Sequence, residues 1–209
     1  MIVGYEELYM GRFVFLQNTV KTPESLQKAH RGHVIDIVDQ YDFDRSTLSG
    51  ADGLLLSQHL DERHLHENRA LLTGFLASGG NIALNGPVAA PYLDPPGTYH
   101  AVETHAGQGW KLTMAAPHPI TEGVNAHDLT YRRGVIGFWA RGTFSLPASA
   151  TTLTLFKDSK RPVDYVWRSP GGGWLFVHPG NDVWGYSLME TSARRVFPQL
   201  LDWFMDVRT

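Results

Sequence analysis

A segment near the middle of the chain, residues 51–84, places the strongest limit on the fold. It opens with ADGLLL at residues 51–56, and such continuous apolar character is typical of a strand buried on both faces. A helical pattern follows, with Asp61 as candidate N-cap and apolar residues at helical spacing: Leu65, Leu72, Phe75 and Leu76. Gly79-Gly80 supplies a left-handed stop, and residues 81–84 (NIAL) form the next candidate strand. Strand, helix and strand in this order predict parallel strands joined by a right-handed crossover.

The N-terminal part of the chain carries further elements of the same kind. Residues 12–17 (RFVFLQ) and 33–38 (HVIDIV) are apolar or β-branched and predict two strands. Between them, residues 23–29 predict a helix with Thr22 as N-cap and Pro23 at its first position.

The C-terminal part is patterned differently. Residues 152–156, 163–168 and 174–177 predict three short strands whose close spacing favours antiparallel pairing. The apolar pattern of residues 196–207 predicts a closing helix with Pro198 in its first turn. We therefore expect an α/β fold, with a mostly parallel central sheet flanked by helices and an antiparallel extension in the C-terminal half.

Size and charge limit the classes of function. A chain of 209 residues with 43% hydrophobic residues predicts one domain over residues 1–209. The formal net charge of −3 gives no general attraction to nucleic acid or an anionic membrane, and we expect the Arg132-Arg133 and Arg194-Arg195 pairs to be solvated. No apolar run has a membrane-spanning length and no secretory signal is visible, so a cytoplasmic location is expected. The sequence indicates no cofactor or metal.

The chain has no cysteine. Disulfides, iron–sulfur ligation and thiolate catalysis are therefore excluded. Aromatic residues are instead frequent in the loops, where they either line a binding surface or pack the flanks of the domain, and packing is the favoured interpretation. These aromatic residues are Tyr92, Tyr99, Trp110, Trp139, Trp184 and Tyr186.

The combination of segments resembles the class I glutamine amidotransferase-like superfamily, nearest to its ThuA-like branch and the related domain of some β-galactosidases. Four stretches carry the resemblance: residues 51–84 with their Gly-Gly turn, the HPITEG loop at 118–123, the hairpin at 168–178 ending in His178, and the final helix at 195–204. The resemblance spans about residues 12–207 and implies a flavodoxin-like three-layer sandwich. It also carries an association with sugar metabolism.

Glutamine-hydrolysing members carry a cysteine on the elbow after the strand that corresponds to residues 81–84. Here the elbow is Asn85-Gly86-Pro87, and an asparagine amide cannot form the thioester that glutamine hydrolysis requires. The resemblance therefore implies a member that is not an amidotransferase, with the family's histidine retained as His178.

The candidate site lies where the strands end. His178 follows the strand at 174–177, and open α/β sheets bind ligands at the carboxyl ends of their strands. Asp182 could orient its imidazole as in a general-base site, and Asn181 could donate hydrogen bonds. The alternative is a histidine bonded within its own tight turn.

Other residues are candidates for ligand contact. We expect Asn85 and Gly86 to lie across the crevice from His178, where backbone amides could hold an anion or carbonyl oxygen. His59, at the end of a strand, and Trp184, on a loop, could join the crevice. His118 sits between two prolines in a rigid loop, for which a structural role is favoured.

Three classes of function remain open. The first is a module that binds a small polar ligand, such as a sugar or sugar derivative, between Asn85 and His178. The second is a hydrolase, isomerase or lyase with His178 as general base, assisted by Asp182 or Glu103. The third is an assembly or interaction protein, including a homo-oligomer. We rank the first just above the second.

Overall fold

The structure is a computed structural model that describes residues 10–18, 22–28 and 31–208. Its strands are β1 (Arg12–Gln17), β2 (Val34–Asp39), β3 (Gly53–Leu56), β4 (Asn81–Asn85), β5 (Tyr99–Ala101), β6 (Leu112–Met114), β7 (Tyr131–Arg132), β8 (Val135–Ile136), β9 (Gly142–Phe144), β10 (Thr151–Thr152), β11 (Thr154–Phe156), β12 (Tyr165–Arg168) and β13 (Trp174–His178). Its helices are α1 (Glu24–Lys28), α2 (Glu62–Glu67), α3 (Arg69–Ala77), α4 (Ala126–Thr130) and α5 (Val196–Asp206). Ala29, the predicted last residue of the first helix, lies outside the described residues.

Within those ranges the central sheet has seven strands in the order β2-β1-β3-β4-β13-β12-β10. Neighbours from β2 through β13 pair in parallel, whereas β12 and β10 extend the sheet in antiparallel fashion. The predicted fold class, a mostly parallel sheet with an antiparallel extension, is confirmed.

The strand predicted at residues 152–156 is divided in the structure. β10 pairs with β12 in the central sheet, whereas β11 pairs with β6 in a separate small sheet. The division falls where the amides of Leu153 and Thr154 both donate to the carbonyl of Asp164, at 2.8 and 3.3 Å. Two consecutive donors on one acceptor break the ladder as a β-bulge does, so the chain changes sheets there.

Helices cover both faces of the sheet because successive strand residues point to opposite sides. Val14, Leu54 and Ile82 face the layer formed by α2 and α3, and Phe13, Leu55 and Ala83 face the layer that includes α5. The helix predicted after Asp61 is in fact two helices separated at Asn68, but its predicted apolar face is buried throughout.

The ends of the predicted helices also agree with the sequence. The Asp61 side chain accepts hydrogen bonds from the amides of Arg63 and His64, as an N-cap does. Gly79 has φ +91°, the left-handed geometry expected of the stop, and Pro198 lies in the first turn of α5. Within the described ranges, the helices lack the combination of length and hydropathy that a membrane crossing requires.

Candidate functional site

The carboxyl ends of β3, β4 and β13 lie side by side. The parallel register pairs His178 with Asn85, the last residues of β13 and β4, and pairs Leu56 with Leu84. The two polar corners, expected on opposite sides of a crevice, are instead buried neighbours in the sheet, and neither Asn85 nor His178 lines the pockets described below.

Two adjoining depressions lie beyond these strand ends, and we call them together the strand-end crevice. The Arg141 pocket, of about 330 Å³, is lined by Gln58, Pro87, Tyr99, Gly137, Phe138, Ala140, Arg141, Pro179, Gly180 and Asn181. The Arg132 pocket, of about 360 Å³, is lined by Pro23, Gln58, His59, Arg132, Asn181, Asp182, Trp184, Gly185 and Tyr186. Gln58 and Asn181 belong to both pockets, so they form a shared polar wall.

The Arg132 pocket lies at a switch point of the sheet. The strand order places β1 beside β3, while the chain continues from β1 to β2 on one side and from β3 to β4 on the other. Pro23, which follows β1, and His59, which follows β3, both line this pocket. A crevice of this kind, at the carboxyl ends where the strand order reverses, is the usual ligand site of open α/β sheets.

His178 is completely buried and both of its ring nitrogens are bonded. Nδ1 lies 2.6 Å from the Asp164 carboxylate, and Nε2 lies 2.8 Å from the carbonyl oxygen of Asn181. Because a carbonyl only accepts, Nε2 is the donor and carries a proton. Trp139 closes the site with its ring 4.7 Å from the imidazole in an edge contact. With 0% exposure and no free lone pair toward the crevice, His178 is not placed to act there as a general base.

The carboxylate that orients His178 is Asp164, not Asp182 as the spacing along the chain suggested. Asp182 instead accepts the backbone N–H of Gln58 at 2.7 Å and the hydroxyl of Ser57 at 2.8 Å. Burial raises the pKa of the Asp182 carboxyl, while these hydrogen bonds oppose that shift. Asp182 thus ties the loop after β13 to the loop after β3.

Asn85 and Gly86 support the crevice from below. Asn85 is fully buried, its Nδ2 donates to the carbonyl of Leu56 at 3.1 Å, and its Oδ1 accepts the amide of Val183 at 3.2 Å. Gly86 has φ +100°, and a Cβ there would lie 2.6 Å from the Cβ of Gln58. The elbow therefore holds the strand ends together, and both the Nδ2 and the Oδ1 of Asn85 are bonded within the fold.

The other predicted contact residues divide between the two edges of the sheet. His59, Asn181 and Trp184 line the Arg132 pocket. His118 does not reach the crevice, because its ring packs 5.1 Å from that of Trp203, which also contacts Trp174 at the amino end of β13. His118 lines a separate shallow depression and accepts the amide of Ile120, which agrees with the favoured structural role.

Sequence reasoning missed several contributors to the site, among them Gln58, Arg132, Arg141 and Asp164. Gln58 could have been found by the rule that selected His59, since it also follows β3. Arg132 was expected to be solvated, yet it lines the crevice half-buried beneath the rings of Phe138 and Tyr186. Asp164 precedes β12 and carries no local signal, because the register between β12 and β13 brings it to His178.

The loop aromatics serve mainly as packing, as favoured from the sequence. Tyr92, Trp139, Trp184 and Tyr186 are all 3% exposed or less, whereas Tyr99 and Trp110 are half-buried. Trp184 contributes to both roles, since it packs against Phe15 and also lines the Arg132 pocket. Its Nε1 has no hydrogen-bond partner among the described residues.

The parallel sheet, its helical layers and the elbow at Asn85 define an amidotransferase-like α/β fold. The chain carries this fold and contains no cysteine.

Comparison with solved structures supports this assignment. A ThuA-like protein from Bacteroides uniformis is similar with TM-score 0.57 and 12% identity over 98% of this chain and 95% of that one. A glutamine amidotransferase from Thermotoga maritima is similar with TM-score 0.55 and 13% identity over 95% of this chain and 96% of that one. No protein-family model and no curated protein matches the sequence. At these identities the similarity concerns the fold alone.

Proposed function

We propose that this chain binds a small polar ligand, a sugar or sugar derivative, in the strand-end crevice. The observation that carries the proposal is the convergence of Gln58 and Asn181 on both pockets at the carboxyl edge of the sheet. Side-chain amides offer donors and acceptors together, which suits hydroxyl groups. Each pocket also has a volume within the usual range for small-molecule sites, about 300–1,000 Å³.

The walls of the crevice fit such a ligand. Tyr99 and Phe138 line the Arg141 pocket, and the flat faces of aromatic rings pack well against sugar rings. In the Arg132 pocket, Trp184 and Tyr186 add aromatic side chains to the walls.

Binding is favoured over covalent catalysis at this site. The chain has no cysteine, the Asn85 amide is bonded at both ends, and neither nitrogen of His178 is free. The buried histidine instead fixes the carbonyl of Asn181, and with it the loop that forms the shared polar wall. We accordingly assign His178 and Asp164 as positioning residues.

A blocking substitution tests the proposal. Gly185 lines the Arg132 pocket, has no positive φ, and an added Cβ would meet nothing within 4 Å. Gly185→Phe should therefore fill the pocket without straining the backbone. Gly74 provides a matched control, because it also has space around it but lines a different depression beside α3.

The assay is isothermal titration calorimetry with a panel of monosaccharides, disaccharides and their carboxylated and phosphorylated derivatives. We expect at least one probe to bind wild type, with Gly185→Phe weakening that binding at least tenfold and Gly74→Phe leaving it unchanged. The proposal fails if no probe binds, or if Gly185→Phe binds the active probe as wild type does.

A further inference from the structure

The two arginines of the strand-end crevice are held in place by aromatic rings. The guanidinium carbon of Arg132 lies 5.2 Å from the ring centre of Phe138 and 5.7 Å from that of Tyr186. That of Arg141 lies 5.0 Å from the ring centre of Trp110, and its Nε donates to the carbonyl of Gly137 at 3.0 Å. Stacking of this kind restricts the side chain but leaves guanidinium N–H groups free to bind a ligand.

Neither arginine forms a salt bridge with a described carboxylate, and what sets them apart from other unpaired arginines is that they line the strand-end crevice. Arg12, Arg31 and Arg208 each pair with an aspartate at the opposite, amino-terminal edge of the sheet, and Arg63 pairs with a glutamate on its own helix. Two cations without carboxylate partners therefore flank the shared polar wall of the crevice.

The carboxylate that lines the crevice forms no ion pair with either arginine. Asp182 lines the Arg132 pocket, but its oxygens accept bonds from Gln58 and Ser57, and the structure shows no ion pair between it and an arginine. His59 adds a third basic side chain to the same pocket. The exposed charge of the crevice is thus predominantly positive, although the whole chain carries −3.

We infer that the ligand of the strand-end crevice is anionic, a hydroxylated small molecule whose carboxylate or phosphate group binds at Arg132 or Arg141. The inference rests on the proposed function and specifies its ligand class. A guanidinium group matches the two oxygens of a carboxylate or phosphate in a bidentate arrangement. Gln58 and Asn181, between the arginines, then bind the hydroxyl groups.

The test compares neutral sugars with derivatives that carry a carboxylate or phosphate on the same ring. Glucose, glucuronate and glucose 6-phosphate, with the corresponding galactose series, are titrated calorimetrically against the full chain at 50 and 300 mM sodium chloride. We expect an acid or phosphate to bind at least tenfold more tightly than its neutral parent, and to weaken at the higher salt because partly exposed charges are screened. The acid and phosphate arms identify which anionic group is preferred.

Three variants locate the interaction. The double variant R132M/R141M, which keeps apolar stems against the rings, should lose at least tenfold in affinity for the anionic probe. R168M is the matched control, because Arg168 stacks on Trp174 at 5.8 Å but lies at the amino edge of the sheet, and it should bind as wild type. R132K/R141K keeps the charge and reports whether the planar fork is needed. Unchanged near-ultraviolet circular dichroism shows that each variant is folded.

The outcomes separate the two proposals. Equal binding of neutral and anionic sugars, or full affinity in R132M/R141M, overturns the anionic ligand class while leaving binding in the crevice intact. Silence of every probe overturns the proposed function and this inference together.

Discussion

Replacing Asp164 by alanine should be among the most destabilising substitutions in this chain. The carboxylate is 2% exposed and lies 2.6 Å from Nδ1 of His178, which is itself 0% exposed. It also accepts the indole N–H of Trp139 at 2.7 Å and the hydroxyl of Thr154. Asp164→Ala therefore leaves three buried polar groups without an acceptor.

The expected magnitude follows from the burial of the pair. Removal of one partner of a buried, hydrogen-bonded ion pair typically costs about 3–5 kcal/mol. For a domain of this size each kcal/mol lowers the melting temperature by roughly 2–4 °C, so a decrease of roughly 6–20 °C is expected. Asp164→Asn keeps an acceptor for Trp139 and offers a donor to Nδ1, so it should recover at least half of the loss.

Chemical denaturation in urea, followed by circular dichroism, measures the effect. Glu67→Ala is the control, because it also removes a carboxylate from an ion pair, but the side chains of Glu67 and Arg63 are 61% and 89% exposed, so it should cost less than about 1 kcal/mol. A double-mutant cycle with His178→Ala should show a coupling of at least about 1 kcal/mol. A loss below about 1 kcal/mol for Asp164→Ala, or strictly additive single effects, would refute the reasoning.

Three further substitutions probe other parts of the structure by urea denaturation and NMR. Gly86→Ala should destabilise the protein by more than the roughly 1–3 kcal/mol of backbone strain, because the added Cβ would also lie 2.6 Å from Gln58. Gly134→Ala is the control for strain alone, because Gly134 has φ +80° and open space around it. Equal losses of stability in the two variants would contradict the close approach at Gly86. Asp61→Ala should cost about 0.5–2 kcal/mol through loss of the N-cap, and an unchanged midpoint would argue against it. Burial lowers the pKa of His118 below 6.5, so its NMR titration midpoint should lie below that value, and a midpoint at or above 6.5 would refute the shift. The contribution of His118 to the free energy of unfolding is complete above pH 6.5 and should be lost as the pH falls through the folded-state pKa. His118→Gln should remove this dependence of stability on pH.

Much of the fold was predictable because its signals are local. The apolar run of β3, the Asp61 cap and the Gly79 turn each depend on residues within a few positions, and together they predicted the parallel crossover. The position of the crevice followed from the same reasoning, because parallel strands end at one edge of the sheet. The irregular middle of the chain, including the 3₁₀ turn at His105–Trp110, offered no comparable periodicity.

The sequence by itself determined the α/β crossover, the edge at which polar loops meet, and the exclusion of thiolate chemistry. Only the tertiary structure decided the partners within that edge: Asp164 reaches His178 through the pairing of β12 with β13, and Asp182 bonds to Gln58, which lies 124 residues earlier. Local periodicity sets which face of a strand or helix a side chain occupies. Its hydrogen-bond partner from a distant segment depends instead on strand register and on loops that take their shape only when those segments pack. For that reason Arg132, expected in solvent, was found on the wall of the crevice.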